Sequence, residues 1–275
     1  MQSETFLYLQ EIYLIEYVSM GNELQRFTLP GSGSGRVYTD NTDLYLPSVS
    51  TVLDEKPTPE GIKKWKKNND GKNGNKHWRD ILSYKGNRGT LIHYNLLNEF
   101  AEEDMYSVDE ENSTEELKLD GNWGRYRNDL TYAEDAWEDI KRVRGISSDN
   151  VLNVECFVTN TSVGYAGQFD LLYVDDDNNI VLSDIKTSNA EYAPYDKHKL
   201  QLTAYAHALE LDVDILEVLI VHPDSKTWKI SHNTDWEENV DDLWGEFKQL
   251  REGMEDVESR MREIASDGID DAEKA

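Results

Sequence analysis

The stretch VECFVTNTSVGYAGQFDLLYVDDDNNIVLSDIKT, residues 154–187, predicts the chemical centre of this chain. Two apolar runs, at about 166–174 and 180–187, flank a cluster of turn-forming residues at 175–179. Extended apolar runs on both sides of such a cluster are typical of a β-hairpin. The sequence therefore predicts two neighbouring antiparallel strands in the second half of the chain.

Two aspartates face each other in this hairpin. If the turn is centred on Asp177, Asp170 and Asp184 pair across the strands, because each is seven residues from the centre. Their Cβ atoms would be about 5 Å apart, where like charges destabilise a sheet. A divalent cation such as Mg²⁺ or Mn²⁺ would remove that penalty. The strand period of two puts Lys186 on the same face, so the pattern favours a metal-dependent centre that cleaves phosphodiesters.

A plainer explanation is that these acids lie on the solvated face of a polar hairpin in a very acidic protein. Asp184 argues against it, because it follows the apolar run Ile180-Val181-Leu182, and an unpaired buried acid is costly.

The amino-acid composition limits the classes of protein to which this chain can belong. The 275 residues carry 55 acidic and 28 basic side chains, for a formal charge of −27. This balance argues against indiscriminate binding to nucleic acid or membranes, and it is compatible with a high-salt organism. The single cysteine, Cys156, excludes an intramolecular disulfide and a four-cysteine cluster. We expect a cytoplasmic protein without a membrane span, since Glu11 and Glu16 interrupt the apolar segment 5–20.

The chain reads as one domain. Residues 1–20 form an extension that is open to interpretation as an extra strand or helix, or as a segment preceding a start at Met20. Residues 21–266 form the single domain, and residues 267–275 a polar tail. Within the domain we expect a core at about 88–230 and a basic helical region at 54–88.

Local signals predict several elements. A turn at GSGSG, 31–35, leads to strands and a short helix that Ser48 or Ser50 could cap. The acidic stretch 102–116 is typical of a solvated loop. Predicted helices are 89–101, 123–144 ending at Gly145, 197–211 and about 235–265; predicted strands are 151–158, 213–222 and 226–230.

The region 61–88 departs from the acidic composition. It holds nine lysines and arginines against two aspartates, with Trp65 and Trp78 between them. Lysines that bind phosphates and aromatics that stack on bases are the usual combination for single-stranded nucleic acid. A solvated helical face with core tryptophans is the alternative. The predicted DNA-binding residues are Lys63, Lys64, Trp65, Lys66, Lys67 and Arg88.

Two further side chains are candidate metal ligands. His93 shares a helical face with Leu96, Leu97 and Phe100, so it points inward. Such a histidine is usually a core residue, but imidazole also binds Mn²⁺-like metals. The strand at 151–158 places Glu155 on the face opposite Val154, Cys156 and Val158, where a ligand role and a strand-edge role are about equally compatible with the sequence.

Three motifs follow one another along the chain, GYAGQFD (164–170), SDIKT (183–187) and QLTAY (201–205). With these motifs in the expected order, the chain resembles the PD-(D/E)XK nuclease superfamily, and most closely its RecB-like exonuclease branch. RGTLIH at 88–93 matches the helix that supplies a histidine in that branch. LPSVSTVL at 46–53, with the lysine-rich helix after it, is similar to the mitochondrial genome maintenance exonuclease group and its phage relatives.

The resemblance implies an α/β fold with a mixed central β-sheet flanked by helices, the restriction-endonuclease-like core. It implies Mg²⁺ or Mn²⁺ held by Asp170, Asp184, the carbonyl of Ile185 and His93, with Glu155 as a further candidate ligand. Lys186 would orient the attacking water or stabilise charge on the phosphorane. Gln201 and Tyr205 would support the site or the scissile strand.

These features predict a metal-dependent DNA exonuclease that acts on single strands or ends in replication, recombination or repair. The similarity to phage exonucleases suggests that the protein is encoded by a virus. The alternative is a non-catalytic nucleic-acid-binding or assembly protein on a nuclease-like scaffold. A carboxylate-pair hydrolase of sugars is a weaker third hypothesis, because Lys186 and the basic region have no role in it. The oligomeric state is left open.

Overall fold

The computed structural model describes residues 25–28, 36–39, 45–72, 76–101, 123–189, 191 and 193–254. The predicted extension at 1–20, turn at 31–35, acidic loop at 102–116 and tail at 267–275 lie outside the described residues.

The described strands form two sheets. They are β1 (Gln25–Thr28), β2 (Arg36–Thr39), β3 (Tyr45–Pro47), β4 (Val151–Asn160), β5 (Tyr165–Val174), β6 (Ile180–Lys186), β7 (Ile215–His222) and β8 (Thr227–His232). The first three make a small antiparallel sheet, and the other five make a sheet of order β4-β5-β6-β7-β8. Among the described strands of this central sheet, only β6 and β7 run parallel to each other, so the sheet is mixed, as expected.

Helices flank the central sheet. They are α1 (Val49–Leu53), α2 (Glu60–Asn68), α3 (Trp78–Leu97), α4 (Trp123–Arg144), α5 (Asp196–Ala206) and α6 (Val240–Glu252), with 3₁₀ turns at Asn98–Phe100 and Asn233–Asp235. One large apolar cluster packs α1, α5 and α6 against the sheet, and another packs α3 and α4 against it. The α/β prediction is confirmed.

The β5–β6 hairpin has the predicted register. Leu171 pairs with Ser183 and Val174 pairs with Ile180, so paired residues are equidistant from Asp177. The turn is held by the Asp175 carboxylate, whose Oδ1 accepts the backbone N–H groups of Asp177 and Asn179. Side-chain hydrogen bonds of this kind are why Asp and Asn favour turns.

In strands β4 and β5, residues two apart do not keep to the same face of the sheet near Glu155 and Asp170. Phe169 packs in the α1/α5/α6 cluster, whereas Leu171 packs in the α3/α4 cluster. On β4, Val154 packs with the α3/α4 cluster but Cys156 packs with the other, so the prediction that they share a face is wrong. The reason is Glu155, whose φ of 48° breaks the alternation of an extended strand.

Several helix ends match the prediction. Helix α4 spans residues 123–144 as expected, and Gly145 ends it with a φ of 67° in the left-handed region that favours glycine. Ser48 caps α1 by accepting the Thr51 N–H at 3.0 Å, and Ser50 lies within the helix.

Other boundaries differ from the prediction. Helix α3 begins at Trp78 and not at 89, so part of the basic region and His93 lie on one continuous helix. Helix α6 starts at Val240, five residues later than expected, and ends at Glu252. Within the described part of the chain, every helix is too short or too polar to cross a bilayer.

Candidate metal and nucleic-acid site

Three potential metal ligands meet at the point where β4 and β5 change face. The Nδ1 atom of His93, from α3, lies 3.5 Å from Asp170 Oδ2 on β5 and 3.9 Å from Glu155 Oε1 on β4. One ligand atom from each residue falls within 4.8 Å of the other two. Glu155 lies opposite Asp170 in the β4–β5 register, because its neighbours Val154 and Cys156 pair with Leu171 and Phe169.

Asp184 and Lys186 adjoin this cluster from β6. The Asp184 carboxylate is fully buried, and the Lys186 ammonium lies 2.6 Å from its Oδ2 atom. The backbone N–H of Ile185, between them, donates to Asp170 Oδ2 at 2.6 Å. The carbonyl of Ile185 therefore belongs to the same short segment, although its role as a ligand stays a prediction.

The charges in the site are strongly coupled. Burial opposes the positive form of His93, but the Asp170 and Glu155 carboxylates outweigh it and raise its pKa to about 9. Burial raises the pKa of Asp184 to about 6; the Lys186 ammonium opposes this rise, and the Asp170 carboxylate adds to it. Asp170 has a lowered pKa because His93, Lys186 and the Ile185 N–H together outweigh the cost of its burial. Protonated His93 thus acts as the counter-ion of the acids.

The donor set fits a divalent cation. The Oδ1 atom of Asp184 is buried and accepts no hydrogen bond from the described residues, whereas Oδ2 lies 2.6 Å from the Lys186 ammonium. A buried carboxylate oxygen without a donor is costly, and a second cation beside it would remove that cost. Oxygen donors with one imidazole suit Mg²⁺ or Mn²⁺. His93, Glu155 and Asp170 are placed to hold a metal here, and the role of Asp184 as a further ligand stays a prediction.

Helix α5 carries Gln201 and Tyr205, the two residues predicted to support the site. Gln201 Nε2 donates to the Tyr205 hydroxyl at 2.7 Å, as their spacing of four residues predicts. The Tyr205 ring packs on the backbone of β5 at Gly167, where an added Cβ would come within 2.4 Å of the ring. The glycine of the GYAGQFD motif is therefore needed for α5 to approach the site.

These side chains, apart from the fully buried Asp184 and Ile185, line one cleft of about 360 Å³. Its lining includes His93, Glu155, Asp170, Lys186, Gln201 and Tyr205. The cleft also contains residues that the sequence prediction missed as site residues, among them Arg36 on β2 and Lys85 on α3. Lys85 could have been suspected because it lies in the basic region, whereas nothing local marks Arg36.

The sequence profile of the PD-(D/E)XK nuclease superfamily matches residues 75–272, which is more than half of the chain. The chain belongs to the PD-(D/E)XK nuclease superfamily. Nucleases of this superfamily use divalent metals, in agreement with the acid cluster of this chain. The assignment to the RecB-like branch stays a prediction.

No curated protein matches this PD-(D/E)XK chain. Among solved structures, one described as "Crystal structure of SSO0001" is 13% identical, covering 62% of this chain and 73% of its own, with a TM-score of 0.33.

The predicted DNA-binding residues of this PD-(D/E)XK chain separate into two groups. Lys63, Lys64 and Lys67 are exposed on α2, and Trp65 and Lys66 are half-buried. Arg88 is only 1% exposed and forms ion pairs with Asp129 and Asp224, so its predicted contact with DNA is wrong. It pairs with these acids because it faces the interior side of α3, next to Tyr84. The basic surface therefore comes from α2 and the exposed side of α3.

Proposed function

We propose that the protein is a metal-dependent DNA exonuclease that acts on single strands or DNA ends. The observation that carries the proposal is the cleft in which His93, Glu155 and Asp170 converge beside the Asp184–Lys186 pair. Replication, recombination or repair is the proposed setting, and the resemblance to phage exonucleases supports a viral source.

Each site residue has a chemical task. Mg²⁺ or Mn²⁺, when bound, lowers the pKa of water and neutralises charge on the phosphate. Asp170 is held in place by the Ile185 N–H, and His93 must give up its proton to serve as a ligand. Lys186 keeps a fixed positive charge in the cleft, because the buried acids raise its pKa in spite of its own burial. A fixed cation is most effective where the transition state becomes most negative.

Helix α3 connects the basic region to the site. At a rise of 1.5 Å per residue, Trp78 lies about 22 Å from His93 along the helix, and Lys85 about 12 Å. The Trp78 ring has the ammonium of Lys66 4.7 Å from its centre and the guanidinium of Arg79 4.9 Å away. These cation–π contacts hold two cations at the outer end of α3, where a strand could first bind.

The size of the cleft favours a single strand. Ligand pockets range over about 300–1,000 Å³, and the volume of this cleft is near the lower limit of that range. We expect room for about one nucleotide beside the acids, so a paired base would have to separate before entering.

The test is digestion of single- and double-stranded DNA labelled at either end, with Mg²⁺ or Mn²⁺ and with salt varied. Circular single-stranded DNA is the control, because an exonuclease needs an end. We expect the linear single strand to be degraded from its end and the circle to stay intact. Cleavage of the circle would overturn the exonuclease proposal in favour of an endonuclease.

A second candidate is a nucleic-acid-binding protein without activity. The basic helix α2 is compatible with it. The complete set of acids and the lysine favours the enzyme. Tight binding of DNA with no cleavage in either metal would support the second candidate.

A further inference from the structure

Two cations of the cleft stand out in a chain of net charge −27. Arg36 and Lys85 both line the cleft and are exposed. Among the described residues neither has a carboxylate oxygen within 4.0 Å, whereas Lys186 in the same cleft is paired with Asp184. With acids in a twofold excess, cations that form no salt bridge within the described part of the chain and lie beside an acidic centre are positioned for an anion from outside.

Arg36 projects from a fixed backbone. The backbone N–H of Arg36 donates to the Thr51 hydroxyl at 2.9 Å. Its backbone carbonyl accepts hydrogen bonds from the Thr51 hydroxyl and the Ser48 backbone N–H, each at 2.9 Å. These bonds join β2 to the start of α1 and do not involve the guanidinium. The side chain can therefore be replaced without loss of these bonds.

Gly86 leaves space on α3 beside Lys85. Glycine inside a helix destabilises it relative to alanine, so an internal glycine needs a reason. For Gly89, one turn further, the reason is packing, because an added Cβ would lie 3.2 Å from the Thr187 hydroxyl. At Gly86 an added Cβ would meet nothing within 4 Å, and the residue lines the cleft. The bare backbone there lets a ligand approach closely.

We propose that Lys85 and Gly86 of α3, with Arg36 of β2, bind the sugar–phosphate backbone of the substrate strand next to the scissile phosphate. This inference rests on the proposed function and adds residues that position the strand. The two cations bind phosphates, and Gly86 provides the space for the sugar between them and the acids. Binding of this kind recognises the backbone and not the bases.

The first experiment measures binding of a short single-stranded oligonucleotide in EDTA, where no cleavage occurs, over a range of salt concentrations. We expect Arg36→Ala and Lys85→Ala each to weaken binding about tenfold. Each should also lower the slope of log affinity against log salt by about 0.7, the value for one phosphate contact on a single strand. Arg36→Lys should keep the slope.

The control for this experiment is Arg142→Ala, which removes an exposed arginine paired with Asp139 outside the cleft. It should leave affinity and slope unchanged. Unchanged slopes in both Arg36→Ala and Lys85→Ala would overturn the proposal. Reduced slopes with no cleavage by the wild-type protein in either metal would support this strand site and overturn the nuclease function.

The second experiment separates stability from binding at Gly86. Gly86→Ala should raise the Tm by about 1–4 °C, and Gly245→Ala, in α6 with equally open space around it, should do the same. Gly86→Leu should weaken binding of the oligonucleotide about tenfold or more, and Gly245→Leu should not. Wild-type affinity in folded Gly86→Leu would refute the role of the open space.

Discussion

Replacement of Lys186 by alanine is the sharpest test of the site. The change removes the ammonium that lies 2.6 Å from Asp184 Oδ2. If this cation stabilises the charge on the phosphate, kcat should fall by about 10²–10³, as on loss of one electrostatic donor in a preorganised site. DNA binding should persist, because α2 and the outer part of α3 carry exposed cations of their own.

The same change also affects folding. Breaking a buried ion pair costs about 3–5 kcal/mol when the remaining charge stays buried. Here the cost should be lower, because Asp184 has a pKa already raised to about 6 and can take up a proton. The double variant Lys186→Ala with Asp184→Asn removes both charges and should recover part of the stability while staying inactive.

Lys199→Ala is the matched control for Lys186→Ala. Like the half-buried Lys186, the buried Lys199 is paired with a carboxylate, that of Glu238, but it does not line the cleft. We expect it to lose stability and keep its activity. The assay combines cleavage of an end-labelled single strand, oligonucleotide binding in EDTA and thermal unfolding. Full activity of folded Lys186→Ala would refute the catalytic role of this cation.

Three further predictions concern the metal, the packing of α5 and acid stability. Mn²⁺ at about 100 times its Kd should stabilise the protein by about 2.7 kcal/mol, and Asp170→Asn should abolish the rise in Tm; an unchanged rise would exclude Asp170 as a ligand. Gly167→Ala should displace the Tyr205 ring and reduce cleavage, since its Cβ would come within 2.4 Å of that ring; wild-type activity and Tm would contradict this packing. Glu217 is buried, but the His232 hydrogen bond and the Arg144 ion pair outweigh burial and lower its pKa. The ionised Glu217 carboxylate therefore adds to the free energy of unfolding above its unfolded-state pKa, and this stabilisation is lost as pH falls through the folded-state pKa. Glu217→Gln should reduce the loss of stability at acid pH, measured by urea unfolding.

Local chemistry explains the parts of the fold that the sequence predicted well. The register of the β5–β6 hairpin follows from a turn whose Asp and Asn side chains bond their own backbone. The end of α4 follows from the left-handed conformation of Gly145, and the start of α1 from the Ser48 hydroxyl. Each of these signals acts within a few residues, so no distant contact is needed to interpret it.

The tertiary structure decided which charges are buried. Arg88 belongs to the basic region by sequence, but it is buried because Asp129 and Asp224, distant along the chain, meet it on the inner side of α3. Similarly, the Glu217 network joins strands and a helix whose pairing the sequence pattern does not reveal. Burial depends on what packs against a side chain, and the identity of that partner is not a local property.

The residues of the site also fall into those that the sequence predicts and those that only the tertiary structure reveals. By itself the sequence determined Asp170, Asp184 and Lys186 as one centre, because a period of two and a central turn fix which residues of a hairpin face each other. Only the tertiary structure showed that the candidate ligands Glu155 and His93 lie beside Asp170, and only it brought in the Arg36 side chain, through docking of β2 on the start of α1. Strand periodicity reaches along one hairpin, whereas the other wall of a cleft is set by elements that approach it through space.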